Sequence, residues 1–269
     1  MILDNITFIV KTFKRYNCLD KFLTSCYQFF PDAQVYIADD NDDKEYNQYF
    51  YRCFPKAKVF RMPFDSGLSA GRNLLIDRSK RPFIFLLDDD FIFTEKTRLD
   101  KFADIMNSDK KIGIVGGVCV ESGQETHYEH WLELKGGILR HTPDGDKWET
   151  RAGVRCKQTG CVLNFSLIRR NLFRDVKWDD DLKIVEHSDF FLQLNKYKNK
   201  WKIYFTPEVS IIHLKVRDED YSKYRMRWQM FFTIFFKKWG IHKLVDMNGH
   251  TLELLENDTI KKGYEPPKN

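Results

Sequence analysis

The first half of the chain alternates short apolar runs with longer segments that carry apolar residues on one helical face. Short apolar runs bounded by turn residues are typical of buried strands, and apolar residues spaced three and four apart indicate amphipathic helices. The predicted strands are 6–10, 34–38, 58–62 and 83–87, and the predicted helices are 19–30, 46–51, 67–78 and 97–108. This alternation predicts an α/β fold with a central, mostly parallel sheet flanked by helices.

The second half has a mixed pattern. Residues 121–157 are polar and aromatic, and turn signals at 136–137 and 144–145 predict hairpins there. The other predicted elements are strands at 112–120 and 161–168, a helix at 182–196, two short strands around Pro207 within 201–213, a long basic and aromatic helix at 221–239, and a loose tail from about residue 257. No internal repeat or low-complexity linker divides the chain, which favours one compact domain with a C-terminal extension.

The composition is that of a globular protein with a mild preference for anions. The chain has 269 residues, of which 42% are hydrophobic and 31% charged. Its formal net charge of +5 favours nucleotide phosphates or an acidic membrane surface as partners, and is too small to indicate a nucleic-acid-binding protein.

Cysteine usage and the N-terminus predict a cytoplasmic protein. The six cysteines are scattered and form no Cys-x-x-Cys pair, which is typical of reduced, buried thiols and argues against structural zinc. The first residues do not resemble a signal peptide, and no apolar run approaches the roughly 20 residues of a membrane span. Both a natural protein without an anchor and a catalytic domain trimmed of one fit this pattern.

The strand at 83–87 runs directly into three carboxylates, Asp88, Asp89 and Asp90. Adjacent carboxylates repel one another, so burying them requires a neutralising cation. A hard divalent metal that also binds phosphate oxygens is the natural partner of such a cluster. The alternative is a solvated acidic turn at the end of a core strand.

The loops after the first, second and fourth strands lie at the same edge of a parallel sheet. They bring further polar side chains to the three carboxylates, namely Thr12, Arg15, Asp39 and Asp40. Asp39 can accept the imide N–H of a uracil ring, and Arg15 or Arg72 can bind a diphosphate. Together these groups match a nucleoside-diphosphate sugar.

The helix predicted at 67–78 begins with Gly-Leu-Ser-Ala-Gly-Arg-Asn. Gly67 and Gly71 permit close backbone approach, and a helix N-terminus favours an anion. We therefore add Arg72 and Asn73 to the predicted nucleotide-sugar site, although a glycine turn with a surface arginine gives the same pattern. No Gly-Lys-Ser/Thr follows, so this is not a P-loop.

Two further groups carry candidate chemistry. His213 follows an apolar run at a predicted strand end, where it is either a third metal ligand or a structural residue. Glu186 and Asp189 share one helix face, with His187 beside them. Attack of a sugar hydroxyl on an anomeric carbon needs one general base, which this group can supply. The alternative is a charged first helical turn.

Four motifs in this order resemble the GT-A glycosyltransferases, in a branch close to family 2. They are residues 67–73, Asp-Asp-Asp-Phe-Ile-Phe-Thr at 88–94, Ile-Val-Gly-Gly at 114–117 and His-Ser-Asp-Phe-Phe at 187–191. The chain is most similar to the β1,4-N-acetylgalactosaminyltransferases that include ganglioside synthases, over roughly residues 5–220.

The resemblance implies an inverting transfer from a UDP-sugar to a hydroxyl of a glycan acceptor, in surface polysaccharide or glycolipid synthesis. The expected donor sugar is GalNAc, with GlcNAc or Gal as alternatives, and the expected cofactor is Mn²⁺ or Mg²⁺. The resemblance places Asp90 on the metal, Asp88 near the ribose and the metal, His213 on the metal and Asp39 near the uracil, with Asp89 in the same nucleotide-sugar site. Related enzymes read Glu-Asp-x-Asp where this chain reads Glu186-His187-Ser188-Asp189, so Asp189 is the favoured base and His187 and Glu186 are alternatives.

The expected organisation is a GT-A catalytic domain at 1–220 and a basic-aromatic helical extension and tail at 221–269. Within the domain, 1–120 is the nucleotide-sugar-binding half and 121–220 the acceptor-binding half. Three roles are open for the helix at 221–239. It packs its aromatic stripe on the domain, or it docks on a second subunit in a homo-oligomer. The third role is to hold the protein at the inner face of the cell membrane, near a lipid-linked glycan acceptor.

Two other function classes compete with the transferase. A nucleotidyltransferase that makes the activated sugar shares the sheet and the carboxylates, but the chain lacks a glycine-rich signature after its first strand. A glycan- or membrane-binding module without enzymatic activity leaves residues 88–90 and His213 without a role.

Overall fold

The computed structural model describes residues 2–42, 51–126, 128–216 and 219–266. The strands are β1 (Ile6–Thr12), β2 (Gln34–Asp39), β3 (Lys58–Arg61), β4 (Phe83–Asp88), β5 (Phe91–Ile92), β6 (Ile112–Glu121), β7 (Gln124–Thr126), β8 (Trp131–Lys135), β9 (Ile138–Thr142), β10 (Trp148–Arg151), β11 (Val154–Thr159), β12 (Ser166–Arg169), β13 (Lys202–His213), β14 (Lys243–Val245), β15 (His250–Leu254) and β16 (Ile260–Tyr264). The helices are α1 (Tyr16–Phe29), α2 (Leu68–Arg78), α3 (Leu99–Ser108), α4 (Glu186–Asn195), α5 (Glu219–Arg225) and α6 (Trp228–Trp239), with short 3₁₀ turns at Ile2–Asn5 and Arg170–Arg174.

The main sheet places the carboxyl ends of its parallel strands at one edge. Its order is β10-β11-β13-β6-β12-β4-β1-β2-β3, with β5 and β7 paired to β13 and β6. Strands β4, β1, β2 and β3 are parallel neighbours, and β12 lies antiparallel between β4 and β6. The predicted α/β fold is confirmed. The sheet is mixed, with four parallel and six antiparallel pairings among the described strands, and the loops after β1, β2 and β4 meet at one edge.

Apolar side chains cover both faces of this sheet. Phe8 of β1 packs in one buried cluster with Phe22 of α1 and Phe102 of α3. The next residue of the same strand, Ile9, points to the other face and packs in a second cluster with Leu75 of α2. A strand buried on both faces reads as a continuous apolar run, which is why the central strands were evident in the sequence.

Several predicted boundaries differ from the structure. The helix predicted at 182–196 begins at Glu186, and the strand predicted at 161–168 begins at Ser166. The prediction of two short strands around Pro207 is wrong, because β13 is one strand of 12 residues. Its pairing with β6 shifts register between Phe205 and Ser210, and this irregularity accommodates the proline. The helix predicted at 46–51 falls, apart from Tyr51, outside the described residues.

The long helix predicted at 221–239 is divided into α5 and α6 at residues 226–227. Tertiary contacts account for the break. The Arg227 guanidinium turns away to bind both carboxylate oxygens of Asp65, at 2.7 and 2.9 Å. Tyr224 packs edge-on against Phe13, with 4.8 Å between ring centroids. These contacts hold α5 beside the carboxyl edge of the main sheet, where its side chains line the same cavity as Asp88.

The aromatic residues of α6 face the core. Phe231, Phe235 and Phe236 are at most 3% exposed. The outward-facing side chains of this region include Met230 and Ile234, which are 51% and 37% exposed. Membrane contact through 221–239 therefore stays a prediction that would depend on aliphatic rather than aromatic side chains. None of the helices in the described part of the chain is long and apolar enough to cross a membrane.

The C-terminal segment completes a second sheet. Its order is β16-β15-β14-β9-β8, so strands on both sides of residue 220 form one layer. The prediction of a loose tail from about residue 257 is wrong over β16, which pairs with β15 along its whole length. The division of the chain at residue 220 stays a prediction.

We expect Gly117→Ala to destabilise the main sheet. A Cβ at Gly117 would lie 2.5 Å from the Val209 carbonyl oxygen and 2.7 Å from the Phe165 ring, and the carbonyl belongs to the backbone of the adjacent strand. Overpacking of this kind costs about 1–3 kcal/mol. Urea unfolding should show a lower free energy of unfolding for the variant, and an unchanged value would contradict the tight packing of β6 on β13.

Candidate active site

The carboxyl edge of the main sheet borders a cavity of about 650 Å³. Ligand pockets commonly measure about 300–1,000 Å³, so this one can hold a sizeable small molecule. The predicted site residues in its wall are Arg15, Asp88, Asp89, Asp90, Glu186, His187 and His213. Tyr221, Tyr224 and Arg225 of α5 also line the cavity. The structure thus brings together the carboxylates after β4, the first turn of α4 and the end of β13.

Arg15 joins two of the three carboxylates. Its Nη1 donates to Asp90 Oδ2 at 2.7 Å, and its Nη2 binds Asp89 Oδ1. The ring of Tyr221 lies over the guanidinium, at 4.6 Å. Burial is the largest influence on Asp89 and raises the pKa of its carboxyl, while the positive charge of Arg15 opposes the rise. Arg15, predicted to bind diphosphate, here neutralises the acidic cluster.

Two buried or half-buried side chains bind Asp88, whose carboxylate remains partly exposed to the cavity. Asn164 donates to its Oδ2 at 2.9 Å, and Arg72 Nη2 donates to its Oδ1 at 3.2 Å. The other arm of Arg72 donates to Glu186 Oε1 at 3.1 Å, and its guanidinium stacks 5.3 Å from the ring of Trp178. Arg72 therefore links Asp88 to Glu186, and because it is only 1% exposed this link is buried beneath the surface of the cavity.

Asp90 and His213 form the part of the site that fits a metal ion. Asp90 Oδ1 is buried and has no hydrogen-bond partner among the described residues. His213 Nε2 lies 3.4 Å from Asp90 Oδ2, and its Nδ1 lies 2.8 Å from Glu121 Oε1. When Glu121 accepts from Nδ1–H, the neutral imidazole presents the Nε2 lone pair beside Asp90, as metal-binding histidines do.

The electrostatic environment of Asp90 and His213 favours a bound positive charge. Burial lowers the pKa of His213, but its hydrogen bonds to Asp90 and Glu121 outweigh burial and leave that pKa raised. Burial alone would raise the pKa of Asp90, and His213 and Arg15 hold it below the usual range. No group of three or more His, Cys, Asp and Glu side chains forms a complete metal-ligand set within the described residues. The donors present therefore fit a cation that takes its remaining ligands from phosphate or water.

His187 presents one ring nitrogen without a partner. Asn164 uses its amide N–H₂ on Asp88, so its Oδ1 is the acceptor that faces His187 Nδ1 at 3.1 Å. That arrangement places the proton of the neutral imidazole on Nδ1 and leaves a lone pair on Nε2, which is buried and unpartnered among the described residues. Burial lowers the pKa of His187 to about 3, and the charge of Arg72 acts in the same direction.

Glu186 has the opposite shift. It is 7% exposed and lines the cavity. Burial raises the pKa of its carboxyl, and the ion pair with Arg72 limits the rise. A carboxylate of raised pKa is a stronger proton acceptor than an ordinary one, and the positive charge of Arg72 favours its ionised form.

Asp189 is not brought to the cavity. Its carboxylate is fully buried and is occupied by three donors, Trp239 Nε1 at 2.7 Å, Lys238 Nζ at 2.7 Å and Gln193 Nε2 at 2.6 Å. Two of these donors belong to α6. Asp189 therefore ties α4 to α6, a role that the position of the residue in a helical motif did not reveal.

Four other predicted residues lie behind the cavity wall. Thr12 Oγ1 donates to Asp89 Oδ2 at 2.8 Å, and Asp40 pairs with Lys11 at 2.7 Å. The amide of Asn73 donates to the Trp178 carbonyl and to Asp180. Asp39 is fully buried and accepts hydrogen bonds from Tyr16, Tyr51, Asn41 and Arg61. Asp39 can accept a uracil N–H only if one of these donors gives way.

Comparison with known proteins assigns the family. Residues 7–177 match the model of glycosyl transferase family 2. The chain belongs to this family. The human β1,4 N-acetylgalactosaminyltransferase 1 is 35% identical over 194 residues, which is 70% of this chain and 35% of that protein. The mouse β1,4 N-acetylgalactosaminyltransferase 2 is 31% identical over 191 residues, with the same coverage of each chain. The chain thus spans about a third of the length of the curated relatives it matches.

Solved structures show the same fold. GalNAc-T7, solved with UDP, GalNAc and Mn²⁺, superposes on 80% of this chain and 44% of its own with a TM-score of 0.60 at 15% identity. S. aureus TarS 1–349 in complex with UDP-GlcNAc superposes on 80% and 60% with a TM-score of 0.59 at 15% identity. The predicted GT-A fold and the resemblance to the N-acetylgalactosaminyltransferase branch are confirmed, and the chain is classed as a glycosyltransferase.

Two residues of this family 2 glycosyltransferase escaped the sequence analysis. Asn164 binds Asp88, and Glu121 orients His213. Each had a weak local signal, because Asn164 is a polar residue within an apolar run and Glu121 ends a buried strand with a charge. Their partners lie 76 and 92 residues away in the chain, so that signal does not identify what they contact.

Proposed function

We propose that this chain transfers a sugar from a UDP-sugar to a hydroxyl of a glycan acceptor with inversion at the anomeric carbon. GalNAc is the first expected donor sugar, and GlcNAc or Gal follow. The supporting observation is that Asp88, Asp90 and His213 share one cavity wall with Glu186. GalNAc is placed first because the relatives are named N-acetylgalactosaminyltransferases.

Asp90 and His213 would hold a divalent cation, Mn²⁺ or Mg²⁺, with Asp88 beside them. The unpartnered Asp90 oxygen and the Nε2 of His213 are the atoms that support this assignment. When bound, such an ion supplies positive charge that stabilises a departing diphosphate. Glu121 keeps the His213 ring oriented, and Arg15 binds both Asp89 and Asp90 and helps to hold the pKa of Asp90 below its usual range.

We assign the general base to Glu186. It lines the cavity, whereas Asp189 does not. Its pKa is raised, whereas that of His187 is lowered to about 3, and the group with the higher pKa removes a hydroxyl proton more readily. Arg72 positions the Glu186 carboxylate at 3.1 Å and links it to Asp88. His187 would then line the acceptor side of the cavity as a neutral ring.

Calorimetric titration of UDP with and without Mn²⁺ tests the donor site. We expect UDP to bind at least about tenfold more tightly with Mn²⁺, because charge-assisted contacts to phosphate are strong, and we expect Asp90→Asn to abolish that gain. Asp100→Asn is a matched control, since Asp100 is a half-exposed surface carboxylate paired with Arg98.

The outcomes separate the competing functions. Metal-dependent UDP affinity that survives Asp90→Asn would remove Asp90 from the metal. No UDP affinity under either condition would overturn the transferase proposal and favour a glycan- or membrane-binding module. Once UDP binds, a panel of UDP-GalNAc, UDP-GlcNAc and UDP-Gal with a hydrolysis readout identifies the donor.

A further inference from the structure

A second cleft, here called the basal cleft, lies at the opposite edge of the main sheet. It has a volume of about 710 Å³ and is formed by the end of α2, the turn into β4 and the segment from Arg169 to Arg174. The basic residues in its described wall are Lys80, Arg81, Arg169, Arg170, Arg174 and Lys177, which face the carboxylate of Asp77. The described wall therefore carries a large excess of positive charge.

The basal cleft is separate from the candidate active site. Strand β4 begins at Phe83, beside the cleft, and ends at Asp88, in the cavity wall. At about 3.3 Å per residue the two ends of this strand are roughly 17 Å apart. Buried residues such as Phe85 and Leu86 lie between them. A molecule bound in the basal cleft cannot be the donor in the cavity.

Two of the arginines are fixed by backbone carbonyls. Arg81 Nη1 donates to the carbonyls of Leu3 and Ile6, each at 2.8 Å. Arg169 donates to the carbonyls of Ile112 and Met106, at 3.1 and 2.9 Å. Carbonyl oxygens satisfy the N–H groups but do not neutralise the charge. Both guanidinium groups therefore remain positively charged in a rigid wall.

Among the remaining cations of the described wall, Lys177 has an ion-pair partner and the other three do not. Lys177 pairs with Asp77 at 3.0 Å, but Lys80, Arg170 and Arg174 form no side-chain ion pair or hydrogen bond with the described residues. Arg170 Nε is buried without an acceptor among them. Buried donors are almost always bonded, so this N–H points to an acceptor supplied from outside the chain.

We propose that the basal cleft binds clustered phosphates, either a soluble polyphosphate group or a phospholipid headgroup that projects into it. The guanidinium fork matches phosphate oxygens in pairs, and Lys80 adds a point charge at the rim. Several phosphates are needed to balance the charges of the wall. Because Arg170 Nε lies below the surface, the bound group must enter the cleft rather than lie across it.

Titration with sodium tripolyphosphate in metal-free, low-salt buffer tests this site. We expect Arg170→Gln with Arg174→Gln to raise the Kd about tenfold or more, because both replacements remove charge-assisted contacts and keep a polar side chain. The matched control is Lys147→Gln with Lys261→Gln, which removes two exposed charges outside the cleft and should change the Kd less than about twofold. UDP affinity should be the same in both double variants.

Vesicle co-sedimentation then identifies the source of the phosphates. Binding to vesicles that contain cardiolipin, whose headgroup carries two phosphates, indicates a lipid headgroup if it is lost with the cleft variant, whereas tripolyphosphate binding without vesicle binding indicates a soluble ligand. If the double variant fails to fold, Lys80→Gln with Arg174→Gln replaces it, since both residues are exposed. Equal affinity of the cleft and control variants for tripolyphosphate, or no binding by the native chain, overturns the proposal.

Discussion

Replacement of Glu186 by Gln should lower kcat by about 10²- to 10⁴-fold, the usual contribution of a general base. Gln keeps the shape of the side chain and a hydrogen-bond acceptor for Arg72, so the cavity should retain its geometry and UDP affinity should change little. Initial rates with saturating donor and acceptor measure kcat, and calorimetry measures UDP affinity in the same variant.

Asp189→Asn is the control that separates catalysis from support. Asp189 is buried against Lys238 and Trp239, so its replacement should lower the free energy of unfolding through the loss of a buried charge pair. Its kcat, corrected for the folded fraction, should stay within about fivefold of the native value because the residue does not line the cavity. A large kcat loss for Asp189→Asn with a small one for Glu186→Gln would reverse the assignment.

The pH profile gives a second test of the same base. A raised pKa of Glu186 means that the carboxylate becomes protonated at a higher pH than an ordinary glutamate. The native kcat/KM should therefore fall as the pH is lowered, with an apparent pKa above the usual glutamate range. The residual activity of Glu186→Gln should lack this acidic limb.

Acid should destabilise the folded chain through a buried pair of histidines. The rings of His130 and His141 stack with 4.4 Å between centroids, and both Nε2 atoms are buried without partners among the described residues. Burial lowers the pKa of His130 to about 3 and that of His141 to about 4. Protonation would place two positive charges face to face in an apolar setting, which the folded state resists.

The direction in which stability changes with pH follows from the lowered pKa values of the two histidines. Above about pH 6.5 both histidines are neutral in the folded and unfolded chains, and their contribution to stability is complete. Between about pH 6.5 and 4 the unfolded chain binds protons that the folded chain rejects, so stability falls. At pH 5 the loss should be about 4 kcal/mol for the pair.

Urea unfolding of the native chain and of His130→Gln with His141→Gln, each at pH 7 and pH 5, isolates this effect. Titratable groups away from the pair contribute equally to both proteins, so the difference between their pH dependences belongs to the pair and to its neighbours His187 and Asp246. The variant should lose about 4 kcal/mol less than the native chain over this range. Parallel profiles for the two proteins would show that the histidine pair does not titrate as its burial requires.

Local patterns predicted the centre of the fold and the acidic cluster. Strand β4 and the carboxylates after it were evident because the strand is buried on both faces and the charges follow without interruption. The loops after β1, β2 and β4 could be placed together because parallel strands share one edge. Arg15 was accordingly expected near the carboxylates, and the family resemblance implied that His213 joins Asp90 on a metal; both side chains lie beside Asp90 in the structure.

The features that the sequence did not predict depend on contacts between distant parts of the chain. The family motif at 186–189 favoured Asp189 as the base. A motif gives the position of a residue along α4 but not the direction in which its side chain points. That direction is set by Trp239, 50 residues later. Arg72 was predicted to bind a diphosphate, and its ion pair with Glu186 could not be predicted because that carboxylate is 114 residues away. Strand β16 was missed because its lysines give no apolar alternation, and its pairing with β15 supplies the order.

The second sheet has a practical consequence for shortening this chain. Strand β9 lies between β8 and β14, so removal of everything after α6 would strip one side of the strand. The bared edge would expose unsatisfied backbone donors and acceptors next to Leu139, which is otherwise fully buried. Such edges recruit strands from other molecules and lead to aggregation. A truncated version intended for crystallisation should therefore keep Tyr264, and affinity tags belong beyond it.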